Sequence, residues 1–394
     1  MDKLRIGIIG IGNIGTTHCK NILNGKCPEL TLAAACDRKP EKLGWVRENF
    51  GEGTALFSDA EEMMDSGLID AVLVSVPHYD HARLACMAMR KGLHVMVEKP
   101  AGVYTLQARE MNETAAETGV VFGMMFNQRT NWLYRAVKEL IDSGRYGRIR
   151  RVSWIITDWY RPSAYYESGE WRATWSGEGG GVLLNQCPHQ LDLLQWLCGM
   201  PVTVDAHLQF GKWHDVEVED DVSCYLEFPD GEGGIGATGV FVTSTGDACG
   251  SNRLEVQMDK AKIVVENGEL RAWEFEQSEP EFSRTNRQPF AAPKVTPIEV
   301  ETDGRNDQHA GVMNAFAGAI LRGEPLVARG EEGLNGLMIS NAMHLSAWLG
   351  RPVSLPIDEE LFLAELTKRR QTSRKKKAAG EVAAADMESS FNFK

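Results

Sequence analysis

Residues 4–23, LRIGIIGIGNIGTTHCKNIL, decide the reading of this chain: an apolar run from Leu4 to Ile9, a loop with glycines at 10, 12 and 15, then a helical stretch. In such a GxGxxG loop the first glycine permits a tight turn and the second lets backbone approach a pyrophosphate. The third lets the helix pack on the strand. Gly10, Gly12, Asn13, Ile14 and Gly15 are therefore expected to cradle phosphates, because amide N–H groups at a helix N-terminus face an anion. A second apolar run, LTLAAACD at 30–37, ends on Asp37 at the spacing where a carboxylate meets ribose hydroxyls. A carboxylate accepts both hydroxyl hydrogen bonds and repels a 2′-phosphate, so NAD is the expected cofactor. Arg38 beside it keeps NADP open, since a guanidinium either stacks on adenine or pairs with the phosphate.

Strand and helix go on alternating. PEKLGWVRENF (40–50), AEEMMDSG (60–67), HARLACMAMRKG (81–92) and a stretch from 105 to 119 read as helices. TALFS (54–58), IDAVLVSVP (69–77), HVMVEKP (94–100) and VVFGMMFN (120–127) read as strands. This predicts an α/β fold whose first part, residues 1–125, is a Rossmann domain with a doubly wound parallel sheet. Ligands of such sheets bind beyond the carboxyl ends of the strands. Ser75, Pro77, His78 and His81 after one strand, and Glu98 and Lys99 after another, are thus expected around the cofactor. After Gly147 the pattern changes to longer alternating segments such as RIRRVSWIITDW (148–159), DDVSCYLEF (220–228) and RLEVQMDKAKIVVENGELRAWEF (253–275). With turns such as PDGEGG and the helical stretches at 309–323 and 331–350, these predict an α+β domain over 126–366. Its large, open, mostly antiparallel sheet would bind substrate and carry oligomerisation. An open apolar sheet face needs a cover, so a homodimer or homotetramer is expected. Residues 367–394, a basic run followed by small and acidic residues, are expected to form a flexible charged tail.

The net charge of −13 disfavours nucleic acid as a partner, because phosphate binding needs a clustered basic face. No apolar run approaches ~20 residues and no leader-like pattern opens the chain, so neither a membrane span nor secretion is expected, and the cytoplasm is. Eight cysteines, at 19, 27, 36, 86, 187, 198, 224 and 249, show no CxxC pair and read as reduced thiols. His78 and His81 lack a Cys/His partner cluster and suit the start of a helix equally well, so no metal site is expected.

Lys99 ends a buried strand and is delivered to the cofactor cleft. A lysine there lowers the pKa of a substrate hydroxyl, or polarises a carbonyl in the reverse direction. The segment GEGGGVLLNQCPHQLDLLQWLCG (177–199) reads as a helix opened by Gly179 to Gly181, with Asn185 and His189 four residues apart on one face. His189 titrates near neutrality and is suited to take a hydroxyl proton as hydride leaves the same carbon. Asn185 is placed to bind that hydroxyl or its neighbour, and Asp192 to orient the imidazole. Upstream, DWYRPSAYYESGEWRATW (158–175) offers Arg161, Tyr165, Tyr166, Trp171 and Arg172. Aromatic faces pack on the C–H face of a pyranose and arginines bind its hydroxyls, though the same rings also suit an interdomain core. Arg129 and His309 are candidates on the same grounds.

Taken in order, the glycine loop, the EKP at 98–100 and the GGG-to-HxxD segment resemble the glucose–fructose oxidoreductase, inositol dehydrogenase and rhizopine catabolism family (Gfo/Idh/MocA) over most of residues 1–365. The resemblance implies a Rossmann domain followed by an open-faced mixed sheet, NAD or NADP, and hydride transfer at a secondary alcohol of a sugar, glycoside or cyclitol. It matches Lys99 and His189 to the family's catalytic lysine and histidine. Inositol dehydrogenases of the family usually carry Asp four residues before the histidine. Asn185 stands there in this chain, as in members acting on sugars, which favours a pyranose or glycoside. His78 replaces an Asn that many members carry after the equivalent strand. The expected activity is NAD(P)-dependent oxidation of a ring secondary hydroxyl, with C3 as the expected position, or the reverse reduction. Three alternatives stand beside it: an NAD-retaining glycosidase or lyase acting by transient sugar oxidation, an inositol dehydrogenase, and a non-catalytic NAD-binding regulator.

Overall fold

A computed structural model describes residues 3–374. Leu4–Ile9 (β1), Leu30–Cys36 (β2), Ala55–Phe57 (β3), Ala71–Val74 (β4), His94–Val97 (β5) and Phe122–Met124 (β6) form a parallel sheet of order β3-β2-β1-β4-β5-β6. All but Arg5 of β1, and every residue of β4, are buried, as strands covered on both faces require. Asn13–Leu23 (α1), Pro40–Phe50 (α2), Ala60–Asp65 (α3), His81–Arg90 (α4) and Thr105–Thr118 (α5) supply the cover. Strand order reverses between β1 and β4, so the loops at 10–15 and 75–78 meet at the switch point where such sheets bind ligands.

Trp132–Asp142 (α6), capped by Asn131, leads into the second sheet. Its strands are Ile149–Ile156 (β7), Thr203–Phe210 (β8), Glu219–Pro229 (β9), Ile235–Ser244 (β10), Asn252–Met258 (β11), Ala261–Glu266 (β12), Glu269–Phe275 (β13), Val295–Ile298 (β14) and Val353–Ser354 (β15). Their order is β14-β13-β12-β11-β7-β10-β9-β8-β15, with β7 and β10 parallel and the other neighbours antiparallel. The helices of this half are Ser163–Glu167 (α7), Pro188–Cys198 (α8), Glu279–Thr285 (α9), Gln308–Arg322 (α10), Gly333–Leu349 (α11) and Glu359–Gln371 (α12). Val152, Trp154 and Ile156 of β7 and Phe241 of β10 are buried in one core with Leu191, Leu194, Ile339 and Met343 of α8 and α11. On the opposite face Ile155, Tyr225 and Val240 stay exposed at 40, 42 and 39%.

Three local expectations change. The helix read from Gly179 begins only at Pro188, and 182–187 form turns. Proline has no N–H to give and its ring crowds the carbonyl four residues back, so it opens a helix rather than continuing one. The tail expected from 367 is helical to Gln371, and its remainder, 375–394, lies outside the described residues. Finally, α10 packs not on the second sheet but on the first domain, where Val312, Met313, Phe316 and Ala317 join Leu4, Ile6 and Ile8 in one core. The second domain thus reaches back across the first. Asn341 of α11 ties the two together, accepting from Thr105 N and donating to Val103 O.

The described cysteines are all free thiols. Among the described residues no helix is long and apolar enough to cross a membrane, and no three His, Cys, Asp or Glu side chains form a metal cluster.

Candidate active site

The glycine loop fits a dinucleotide. Gly10 has φ 90°, and a Cβ there would lie 2.4 Å from the Ser75 carbonyl oxygen. Gly12, by contrast, faces open space, with nothing within 4 Å of a Cβ placed on it, at the uncapped N-terminus of α1. Turn and cradle are therefore separate duties of separate glycines. Ser75 serves the turn too, donating to the carbonyls of Ile9 (3.0 Å) and Gly10 (2.8 Å). Asp37 accepts from Ile11 N (2.7 Å) and Lys39 N (2.9 Å), which fixes its carboxylate beside the loop with acceptor capacity left for ribose hydroxyls. Arg38 is exposed beside it.

The two strand ends are braced by histidines. His81 Nδ1 lies 2.7 Å from Pro100 O and Nε2 2.8 Å from Val76 O, so one imidazole spans the loops after β4 and β5. It braces the two strand ends. His78 is buried, with Nδ1 3.2 Å from Glu178 O and its ring against Trp171 at 5.4 Å. Burial, then the charges of His81 and Lys99, hold its pKa well below that of a free imidazole. Glu98 is turned inward to His18 on α1, with Nε2 to Oε1 at 2.6 Å. Burial raises the Glu98 pKa, but the hydrogen bond and charge of His18 outweigh it and leave the carboxylate at about 2. His309, at the start of α10, packs edge-on against the His18 ring at 5.4 Å; burial and His18 lower its pKa to about 4.

Lys99 is half-buried, and its Nζ donates to the carbonyl of Asn185 at 2.7 Å. Burial lowers the Lys99 pKa, Glu98 opposes that, Arg172 adds to it and Glu178 opposes. His189 sits on the first turn of α8, 2% exposed, and neither ring nitrogen has a hydrogen-bond partner. Burial and the Lys99 charge hold it well below the usual imidazole range, in its neutral form. Buried polar atoms are normally bonded. A buried histidine with both nitrogens open, sharing a field with a half-buried lysine, has the chemistry of an acid–base pair.

Several expected site residues prove to be occupied elsewhere. Asp192 does not orient His189: its carboxylate takes a bidentate pair from Arg129, Nε to Oδ2 at 2.8 Å and Nη2 to Oδ1 at 2.7 Å, and Gln195 adds a third donor. Arg129 also binds Glu332, so this cluster joins the turn after β6 to α8 and to the turn that precedes α11. Tyr166 spends its hydroxyl on Thr245 Oγ1 at 2.7 Å in the core. Asn185 spends both ends of its side chain, Oδ1 on the Tyr165 hydroxyl (3.2 Å) and Nδ2 on Glu178. The Tyr165 hydroxyl in turn accepts from Arg172 Nη1 (2.7 Å) and Gln186 Nε2 (3.0 Å). Arg172 lies over the rings of Tyr165 and Trp171 at 4.4 and 4.7 Å, and Arg161 over Tyr165 at 5.2 Å. The aromatic segment therefore does converge on the Lys99 end of the cleft.

Glu178 was missing from the sequence candidates. It is 2% exposed, and it accepts from Asn185 Nδ2 and from Ala173 N. Its only sequence signal was a carboxylate directly before three glycines. Asn127, fully buried with an open Oδ1 beside Gln308, was missed as well.

Comparison with known proteins agrees with this arrangement. Residues 4–126 match the oxidoreductase family with an NAD-binding Rossmann fold, and residues 134–264 match the GFO/IDH/MocA C-terminal domain. The chain is 32% identical over 232 residues to 1-carboxy-3-chloro-3,4-dihydroxycyclohexa-1,5-diene dehydrogenase of Comamonas testosteroni, a match spanning 58% of this chain and 56% of that protein. It is 25% identical over 360 residues to myo-inositol 2-dehydrogenase of Thermotoga maritima, spanning 89% and 98%. Among solved structures, the WlbA dehydrogenase from Chromobacterium violaceum, determined with NADH and UDP-GlcNAcA, superposes with a TM-score of 0.77 at 26% identity, over 91% of this chain and 97% of that one. With both of its halves matched and the cofactor cradle, lysine and histidine in place, the chain belongs to the Gfo/Idh/MocA family of NAD-binding oxidoreductases acting on CH–OH groups.

Proposed function

We propose that this protein is an NAD-dependent dehydrogenase that oxidises a ring secondary hydroxyl, at C3, of a sugar or glycoside. The observation that carries the reading is His189, buried, neutral and unbonded at both nitrogens within the field of Lys99. Lys99 is the ammonium donor to the substrate oxygen: it stabilises the negative charge that develops as the hydroxyl loses its proton. His189 is the base that receives that proton, and its low pKa keeps it ready above the acid range. NAD, when bound, supplies the hydride acceptor. Arg172, Arg161 and Trp171 hold the sugar from the side of α7, where planar donors and aromatic faces suit hydroxyls and ring C–H groups. The glucoside 3-dehydrogenase of Escherichia coli, 29% identical over 248 residues, supports the choice of a glycoside and of C3.

Association through the second sheet belongs to the same proposal. Val240 pairs with Tyr225, and Ile155 with the half-buried Val242, so the exposed Ile155, Val240 and Tyr225 lie on one face across three strands. Such a patch suits a homodimer or a homotetramer.

Purified protein with NAD and a panel of sugars, glycosides and inositols tests the reading. The expected result is NADH growth with a pyranose or glycoside and none with inositols. NADH growth with inositols alone moves the substrate to the cyclitols, aglycone release at constant NADH moves it to cofactor-retaining cleavage, and tight NAD binding without turnover of any of them defeats the enzymatic reading.

A further inference from the structure

The amide at 185 is bonded to a carboxylate seven residues earlier, and that carboxylate also takes the backbone N–H of Ala173. We propose that Glu178 is the positioning residue of the Lys99–His189 pair: it anchors the Asn185 turn whose carbonyl receives the Lys99 ammonium, and its negative charge keeps that ammonium protonated. The inference rests on the reading of Lys99 and His189 as the reacting groups.

The geometry forms a branched chain of bonds. Ala173 N and Asn185 Nδ2 donate to the two oxygens of Glu178; Tyr165 donates to Asn185 Oδ1; Lys99 Nζ donates to Asn185 O. Backbone bonds from Asn185 N to Gly181 O (2.9 Å) and from Gln186 N to Val182 O (3.2 Å) hold the turns at 182–187, and the side-chain bonds of Asn185 add to them in setting the carbonyl at 185. A carboxylate suits position 178 because both neighbours there are donors, and a glutamine in its place could accept from only one of them.

Charge points the same way. Lys99 faces Glu98 on its own strand end, Glu178 and Arg172 on the 170–178 loop, and Arg161 after β7. His78, His81, His189 and His309 also stand within its field, and burial lowers the pKa of all four. Two arginines and burial thus press Lys99 to give up its proton. Glu98 opposes them most, and Glu178 adds to it. Burial raises the pKa of Glu178 itself, against the Arg172 charge and the hydrogen bonds from Ala173 N and Asn185.

The test exchanges the two partners. Glu178→Gln leaves an amide facing an amide with one donor unpaired, and Asn185→Asp sets two carboxylates against each other. Each single change is expected to cost about 10- to 100-fold in kcat with NADH affinity unchanged. In the double variant, the amide introduced at 178 accepts from Ala173 N through its oxygen and donates through its nitrogen to the carboxylate introduced at 185, so every bond and the charge are restored. It is expected to recover most of the lost rate. Lys99 is read separately, without substrate, by NMR of lysine 13C-labelled at the ε carbon and assigned by the loss of one signal in Lys99→Arg. Its midpoint is expected to fall by about one pH unit in Glu178→Gln and to return in the double variant. A midpoint unmoved by Glu178→Gln, or a double variant no faster than the worse single one, overturns the inference. If no compound of the panel is oxidised the functional reading fails instead, while the Lys99 midpoint still decides the role of Glu178.

Discussion

The buried His189 and the half-buried Lys99 have opposite protonation needs, and the protein meets both. As a base His189 must be neutral, and a neutral histidine is present above its pKa. Since that pKa lies well below the usual imidazole value, the rate should hold steady as pH falls through 6.5 and drop only further into acid. A kcat profile that falls with a midpoint near 6.5 or above would contradict this. Lys99→Ala removes the donor to the substrate oxygen, so kcat should fall by about 10²- to 10⁴-fold while NADH fluorescence titration stays as in the wild type. Asp37→Ser should weaken NAD binding by roughly ten-fold and admit NADP, because the repelling carboxylate is gone and Arg38 stays. Lys99, His189 and Asp37 were legible in the sequence because each ends or opens a regular element at a fixed distance from a glycine or proline signal. Glu178, and the capture of Asp192 by Arg129, were not. Both depend on which loop folds over which, across 7 and 63 residues of chain.

At the scale of elements, the strands of the first sheet were readable as apolar runs bounded by turn signals, and the structure keeps them. The start of α8 was misread because VLLNQCPHQLDLL keeps apolar residues at the helical spacing 183, 187, 191 and 194, although Pro188 marks the first turn. The reach of α12 was misread for a different reason. Its basic last turn, Lys368, Arg369 and Arg370, resembles a solvated tail but suits the negative end of the helix dipole. Arg369 also lies 3.9 Å from the Trp348 ring centre and Arg370 4.6 Å from that of Tyr79. Beyond the helix, Ser373 and Arg374 bond Glu217, whose Oε1 also holds Trp175 N. This end of the chain therefore ties down the loop that carries Trp171, Arg172 and Glu178. Ending the chain at Thr367 should raise KM for the sugar by several-fold and speed protease cleavage between 168 and 178, with NADH affinity unchanged. An unchanged KM and cleavage rate would show that the loop holds itself.

Across the whole molecule, the cleft is built from both domains, and buried polar joints set their relation. Arg129, in the turn after β6, meets Asp192 of α8 and Glu332 just before α11 with side-chain exposures of 2, 1 and 24%. Arg129→Met leaves the buried Asp192 without its counterion and should destabilise the protein by about 3–5 kcal/mol in a denaturant titration. A loss below 1 kcal/mol would mean that the joint contributes little. The open sheet makes its own demand: sedimentation should give a mass of two or four chains, and Val240→Glu should reduce it. A wild-type mass of one chain would refute association through this face. What the sequence conveyed at this scale was the order of domains; the return of α10 to the first core was hidden, because an amphipathic helix does not say which sheet it will cover.

The central claim is that a hydride leaves a ring carbon while His189 takes the hydroxyl proton. Deuterium placed at the oxidised carbon of the best substrate in the panel, followed by mass analysis of the cofactor, tests it most directly. One deuterium per NADH formed, with a rate that drops about 10²-fold or more in His189→Ala, is the predicted result. Deuterium released to solvent with none in the cofactor would contradict it.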